Sequence, residues 1–98
     1  MAFDMRFENT TEKIDSHEEV LFSYISKDKD LPCLNKLWRD FYNDPKISHS
    51  QSNCIVHELI ALRSRTKDDK TTQYVIDRLL PFFSKAFVLK QEIKCISD

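Results

Sequence analysis

Three cysteines and three histidines are the residues in this chain of 98 that could support nucleophilic or metal chemistry. The stretch His57 to Ala61 begins like a zinc-protease motif, in which a second histidine must follow the first by four residues. Ala61 stands at that position, so the motif is incomplete. Cys54 and His57 are three residues apart, which suits two zinc ligands on one helical face, but a structural zinc site needs four ligands.

The thiols of Cys33, Cys54 and Cys95 lie in or beside apolar stretches. Burial raises the pKa of a thiol and makes it inert, so we expect buried thiols beside a hydrogen-bonded histidine. An enzyme would require cysteine and histidine side chains to converge, and Cys33 and Cys95 could still meet in the fold. Helical ribonucleases that pair an arginine with a histidine on one helix are excluded, because no histidine follows Arg39 closely enough. The sequence therefore predicts no enzyme, with no catalytic residue, no metal and no cofactor.

The chain contains no glycine, whereas an average usage of roughly 7% would give about seven. Phosphate-cradling loops, dinucleotide turns and tight two-residue hairpins need a residue that tolerates positive φ or close backbone approach. In standard form these elements are excluded. The composition favours helices joined by Asn, Asp, Ser, Thr and Pro over sheets rich in hairpins.

The hydrophobic spacing predicts an all-α fold, a single helical domain over residues 1–98 with four or five helices in a bundle or a short stack of helix pairs. A capping box formed by Ser16 and Glu19 should start the first helix. The second should begin at Pro32 and end at Asn43, since asparagine can adopt the left-handed conformation that glycine would otherwise supply.

A third helix should be capped either by Ser48, with Gln51 at its third position, or by Ser50. The last helical pattern runs from Val75 to Ile96 at alternating spacings of four and three residues. Pro81 lies inside it, and the unbroken phase predicts either a kinked helix or two abutting helices.

Apolar and polar residues alternate from Phe3 to Glu8, which is typical of a half-buried strand. A single strand has no partner within a helical domain. We therefore expect an extended N-terminal arm that lies across the helices. The alternative is a strand completed by a partner or a second copy.

The charges are distributed unevenly along the chain, with ten acids and six bases in residues 1–44 but six acids and nine bases in residues 45–98. A bipolar surface is therefore expected. Acidic side chains could pair with the basic cleft of a nuclease and raise the association rate. The candidate partner-binding residues are Glu8, Glu12, Asp15, Glu18, Glu19, Asp28, Asp30, Asp40 and Asp44. No apolar run approaches the roughly 20 residues of a membrane span, so no membrane partner is expected.

In its size and its glycine-free helical layout the chain resembles the small immunity proteins of bacterial toxin systems, including those of contact-dependent growth inhibition. The resemblance implies a cytoplasmic protein that binds a cognate toxin domain, a nuclease, and neutralises it by covering its active site. It implies no role for an individual residue. The near-neutral net charge of −1 departs from the strongly acidic members that neutralise nucleases.

The alternative is a small helical regulator associated with nucleic acid through the basic C-terminal half. Its charged loop, Arg63 to Lys70, could contact phosphates. Asp68 and Asp69 weaken the field of that loop, and no aromatic residue stands among its bases to stack on nucleotides. A protein partner is therefore favoured over nucleic acid, and the oligomeric state stays open.

Overall fold

The computed structural model describes residues 3–40 and 43–97, with the Ser97 side chain excepted. A four-stranded antiparallel sheet packs against four helices, so the prediction of an all-α fold was wrong. The strands are β1 (Phe3–Phe7), β2 (Thr10–Ile14), β3 (Lys46–Ile47) and β4 (Ile93–Ser97). The helices are α1 (Val20–Ser26), α2 (Pro32–Arg39), α3 (His49–Arg65) and α4 (Lys70–Val88), and a 3-10 turn at Ser16–Glu18 precedes α1.

The strand order is β2-β1-β4-β3, which places the N-terminal strand inside the sheet between β2 and β4. The alternation from Phe3 to Glu8 does mark a strand, but the predicted arm was wrong, because the chain itself supplies both partners. β2 gave little signal, since Ile14 is its only buried residue. β4 was hidden because Ile93 and Ile96 continue the helical spacing of the preceding segment.

The helix α4 ends at Val88, so the predicted helical run to Ile96 was too long. Lys90 lies in the left-handed region at φ 54°. Its N–H donates to the carbonyl of Phe87 at 3.1 Å, and the N–H of Gln91 donates to that of Ala86 at 2.9 Å. These two bonds form a Schellman motif, in which glycine is the usual residue at the position that Lys90 holds.

Positive φ is supplied without glycine at two other described turns. Glu8 has φ 50° in the tight turn that joins β1 to β2, and Asp44 has φ 48° before β3. The residue predicted for that conformation was Asn43, one position earlier. The exclusion of tight hairpins was likewise wrong, because Glu8 adopts the conformation that was reserved for glycine.

Several helix boundaries agree with their local signals. The capping box at Ser48 is confirmed, since the N–H of Gln51 donates to the Ser48 hydroxyl at 3.2 Å and the Ser48 N–H donates to the Gln51 side chain at 2.8 Å. α2 begins at Pro32 as expected. Pro81 lies inside the single helix α4, so the alternative of two abutting helices was wrong.

The core lies between the helices and one face of the sheet. Phe3, Met5 and Phe7 of β1 are buried there, and the ring of Phe7 meets that of Phe82 of α4 with centroids 5.1 Å apart. The strand alternation therefore turns the intervening residues of the sheet away from the helices. Among the described residues, no helix is both long and apolar enough to cross a membrane.

Candidate functional site

The acidic residues predicted to bind a partner lie at several separate places in the fold. Glu8 is in the turn between β1 and β2, Glu19 immediately precedes α1, and Asp40 and Asp44 follow α2. The structure brings only some of the nine together, in two groups that each surround an arginine.

The first group surrounds Arg78 of α4. The guanidinium donates to both carboxylate oxygens of Glu18, at 2.7 and 2.8 Å, and to Glu12 at 2.7 Å. Glu18 is buried, and its carboxylate also accepts the Asp15 N–H at 3.1 Å. The hydrogen bond from Arg78 lowers the pKa of Glu18 to about 2. Glu12 and Glu18 thus join β2 and the 3-10 turn to α4 and are already paired within the fold.

The second group surrounds Arg65 at the end of α3. Its guanidinium forms an ion pair with Asp28 and lies 3.7 Å from Asp30. The pKa of Asp28 is lowered, first by the N–H of Asp30 and then by Arg65. The acidic N-terminal half and the basic C-terminal half therefore neutralise each other at these contacts, which reduces the bipolarity expected from the sequence.

The outer face of the sheet, which is turned away from the helices, carries more basic than acidic side chains. Its exposed described side chains are Asp4, Arg6, Thr11, Lys13, Lys46, Lys94 and Ile96. Four of these are basic and one is acidic. Lys13 stands opposite Asp4 and lies 3.6 Å from Asp15, so its charge has acidic neighbours.

Three bases follow one another directly across the strands: Arg6 stands opposite Lys94, and Lys94 stands opposite Lys46. We call these three residues the basic row. Adjacent strands are about 4.8 Å apart, and like charges directly opposite each other destabilise a sheet. Within the described part of the chain, no carboxylate forms an ion pair with any member of the row.

The sequence reasoning missed the basic row. The alternation in β1 already places Arg6 on the face opposite Phe7, but Lys94 and Lys46 join it only once β4 and β3 are recognised. Neither strand carries a strong strand signal, because β3 has two residues and β4 follows a helical phase.

A second site lies between α2 and α3, where Cys33 and Cys54 form a disulfide. A carboxylate oxygen of Glu58 lies 3.1 Å from the Cys54 sulfur. The two cysteines are half-buried, and Glu58 is buried. Cys54 and Glu58 are four residues apart on α3, so one helical face presents both side chains to α2.

Glu58 also completes the N-terminus of α2. Its carboxylate accepts the N–H of Cys33 at 2.9 Å and that of Leu34 at 2.8 Å. Pro32 has no N–H to satisfy, and the N-cap residue Leu31 supplies no side-chain acceptor. A glutamate from the neighbouring helix therefore does the work of the missing cap. The signal for it was an acid in the otherwise apolar face of α3.

The surroundings of the two sulfurs differ. Cys33 lines a cavity of about 30 Å³ between α2, β3 and α3, and Lys36, Asp40 and Lys46 line the same cavity. Cys54 is not among its lining residues. Cys33 therefore lies beside a small cavity that two lysines and one aspartate also line, whereas the sulfur of Cys54 contacts Glu58.

The histidine expected beside the thiols is elsewhere, because His57 is exposed and Glu58 contacts the sulfur. Cys95 does not join the cysteine pair. It is buried on β4, where burial raises the pKa of its thiol to about 12, in agreement with the expectation of an inert thiol for this residue.

Two groups of described side chains are close enough together to suggest a metal site: Cys33, Cys54 and Glu58 form one, and Asp15, His17 and Glu18 form the other. Each offers three ligands, fewer than a structural zinc needs. In the first group the sulfurs are bonded to each other and both carboxylate oxygens accept N–H bonds. In the second, Arg78 occupies both oxygens of Glu18.

The function must be argued from this geometry and from the sequence. No family model matches the chain, and comparison with the curated proteins and with the solved structures gives no match either.

Proposed function

We propose that this protein acts by binding another protein through the outer face of its sheet. The observation that carries the proposal is the basic row, Arg6, Lys94 and Lys46. Three adjacent like charges cost stability and contribute nothing to the core, and such departures from local rules are typical of functional surfaces. A partner with an acidic surface would supply the opposing carboxylates.

The neighbouring side chains favour a protein over a small ligand. Ile96 is 51% exposed and provides an apolar contact beside the charged positions. A groove of about 520 Å³ crosses β1, β2 and β4, and five of its eight lining residues are charged: Asp4, Arg6, Glu12, Lys13 and Lys94. Small-molecule sites are concave and mostly apolar, whereas protein interfaces combine apolar centres with polar rims.

The biological role that this binding serves is immunity in the cytoplasm. The chain binds a cognate toxin domain and neutralises it by covering its active site. The basic row changes the charge expected on the toxin. The sequence predicted that acidic residues of this chain would pair with the basic cleft of a nuclease. Binding through the basic row instead requires acidic groups on the toxin surface.

Neighbouring genes test the role. A reading frame next to this gene should encode a large secreted protein with a variable, toxic C-terminal domain. Co-expression of the present chain should protect cells from that domain. The immunity proposal is refuted if no neighbouring product is toxic or if co-expression gives no protection.

Charge reversal tests the surface. Arg6→Glu combined with Lys94→Glu should lower the affinity for the toxin domain by about tenfold or more, or about 1.4 kcal/mol, in calorimetric titration. The matched control, Lys27→Glu with Lys67→Glu, makes the same charge change at exposed residues outside the strands and should keep the affinity. Equal losses in the two double variants, both shown to be folded by circular dichroism, would contradict binding through the sheet.

The basic row also favours a second candidate, a regulator that binds nucleic acid through phosphates. Three phosphate contacts predict a slope of about −3 in log affinity against log salt for duplex DNA. We rank it second because none of the described side chains on this face is aromatic, so bases have no stacking platform. A titration of duplex and single-stranded DNA between roughly 50 and 200 mM salt decides between the two candidates. Binding to DNA that weakens with this slope favours the regulator, and no measurable binding to DNA favours the protein partner.

A further inference from the structure

We propose that Cys33, Cys54 and Glu58 form a reversible thiol–disulfide exchange site that reacts with small thiols and disulfides of the glutathione class. This activity goes beyond partner binding and rests on the proposed function only for the cytoplasmic location. Three observations carry the proposal: the position of Glu58 at the sulfurs, the different surroundings of the two cysteines, and the exposure of the pair.

The carboxylate of Glu58 is the first observation. Besides capping α2, this buried carboxylate lies against a cysteine sulfur, and burying a carboxylate costs free energy unless it is hydrogen-bonded. Here two backbone N–H groups hold the carboxylate in place, with one oxygen 3.1 Å from the Cys54 sulfur. When the disulfide is reduced, that oxygen can accept the proton of the Cys54 thiol. Proton transfer at this distance is what a general base requires.

The cavity beside Cys33 is the second observation. Its lining includes Lys36 and Lys46, and ammonium groups favour a thiolate and attract an anionic thiol. Asp40, in the same lining, offsets part of this charge. The cavity of about 30 Å³ is too small for glutathione, so the exchange takes place at its mouth, where Cys33 is half-buried. Cys33 is therefore the attacking thiol and Cys54 the resolving thiol.

The third observation is that the pair is accessible, in contrast to Cys95. Both Cys33 and Cys54 are half-buried, whereas Cys95 is buried. A disulfide in a reducing compartment is usually transient and has a catalytic or redox-sensing role. Within the cytoplasm, the proposed location of this protein, the pair would therefore cycle between dithiol and disulfide.

Oxidation of the dithiol proceeds in two displacements. In the first, the Cys33 thiolate attacks one sulfur of a glutathione disulfide. A mixed disulfide forms on Cys33, and one glutathione thiolate leaves and takes a proton from water. In the second, Glu58 accepts the proton of Cys54, whose sulfur attacks the Cys33 sulfur; the second glutathione leaves as a thiolate and takes up the proton from Glu58. Two electrons pass from the protein thiols to the glutathione disulfide, and reduction follows the same steps in reverse.

Trapping the mixed disulfide tests which cysteine attacks. The reduced full-length chain is mixed with oxidised glutathione, quenched with acid and weighed by mass spectrometry. Cys54→Ser should accumulate an adduct of one glutathione on Cys33. Cys33→Ser should form its adduct, on Cys54, more slowly by about tenfold or more. Equal rates in the two variants would overturn the assignment of Cys33 as the attacking thiol.

Glu58→Gln tests the base, because glutamine keeps an oxygen that can accept an N–H bond but loses the basic carboxylate. In this variant the decay of the mixed disulfide should be slower by about tenfold or more. The first step, measured as adduct formation in Cys54→Ser with and without Glu58→Gln, should change little. A purely structural role would alter both steps together or neither, and either result would refute the role of Glu58 as base.

Equilibration in mixtures of reduced and oxidised glutathione tests reversibility. Maleimide labelling should count one thiol in oxidising mixtures and three in reducing ones under denaturing quench, and Cys95→Ser should lower both counts by one without moving the midpoint. A disulfide that persists across all the mixtures, or a pair that never oxidises, would contradict an exchange site. This result is independent of any toxin or nucleic-acid binding.

Discussion

Arg78 makes the densest set of polar contacts in the described structure. Its three nitrogens bind Glu12, both oxygens of Glu18 and the carbonyl of Lys13, so one side chain of α4 holds β2 and the 3-10 turn. The guanidinium and Glu18 are largely removed from water, with 25% and 4% of their side-chain surfaces exposed. A paired charge at such a site is tolerated, whereas an unpaired one is costly.

Replacing Arg78 with methionine should therefore destabilise the fold strongly. The variant leaves Glu18 as a buried carboxylate with no cation, and the free energy of unfolding should fall by about 3 kcal/mol or more. Urea denaturation followed by circular dichroism measures this. The matched control is Arg63→Met, because Arg63 pairs with Asp77 at 2.7 Å in a half-exposed setting, where solvent screens the pair, and the loss should be much smaller. Similar losses in the two variants would show that burial does not govern these ion pairs.

The same pair predicts how stability depends on pH. Arg78 lowers the pKa of Glu18 from 4.5 to about 2, so the folded state favours the ionised form. Its stabilising contribution is complete above pH 4.5 and is lost as the pH falls toward 2. By about pH 3 the loss from this group should be about 2 kcal/mol.

Glu18→Gln isolates that contribution from those of other carboxyls. The variant should be less stable than the natural chain near neutral pH, and the difference between them should shrink by about 2 kcal/mol on acidification to about pH 3. Urea titrations at the two pH values give the difference directly. A gap that does not change with pH would mean that the Glu18 pKa is not lowered in the folded protein.

At the scale of elements, the C-terminus of α4 decides how the chain enters β4. Lys90 holds the left-handed position of the Schellman motif, where a side chain with Cβ costs roughly 1 to 2 kcal/mol relative to glycine. The motif stops the helix despite the helical spacing of the isoleucines that follow. The turn therefore overrides the periodicity.

Lys90→Gly should stabilise the protein. Relief of the left-handed strain exceeds the extra entropy that glycine adds to the unfolded chain, for a net gain of about 0.5 kcal/mol and a rise in Tm of a few degrees. Thermal denaturation measures it. Lys90→Ala, which removes the same charge but keeps Cβ, should give no gain, and a loss of stability in the glycine variant would contradict the assignment.

The elements that were predictable from the sequence are those with strong local signals. The Ser48 cap and the start of α2 at Pro32 depend on neighbouring residues only, and both are confirmed. The strand at Phe3 showed its alternation, but its neighbour β2 has only one buried residue and its other partner, β4, lies far along the chain. The position of Glu58 at the cysteine pair depends on how two helices pack, which no local pattern contains.

At the scale of the whole molecule, the distribution of charge along the sequence does not map onto opposite sides of the protein. Acids of the N-terminal half pair with Arg65 and Arg78 of the C-terminal half. The basic row, which has no ion pair with a described carboxylate, draws on both halves because β1 and β4 are neighbours. The net charges of the two halves of the sequence predicted a bipolar surface. The order of the strands in the sheet, however, determines which basic side chains lie together on the surface.

The pairing of Phe3 with Ser97 also bears on how the protein folds during synthesis. β1 emerges from the ribosome well before β4, so the interior strand of the sheet lacks one neighbour until Ile93–Ser97 has been synthesised. Until then the apolar side of β1 and one of its hydrogen-bonding edges are exposed on the nascent chain, which is a condition that favours aggregation and binding by chaperones. This edge of β1 stays open until β4 has been synthesised and can pair with it.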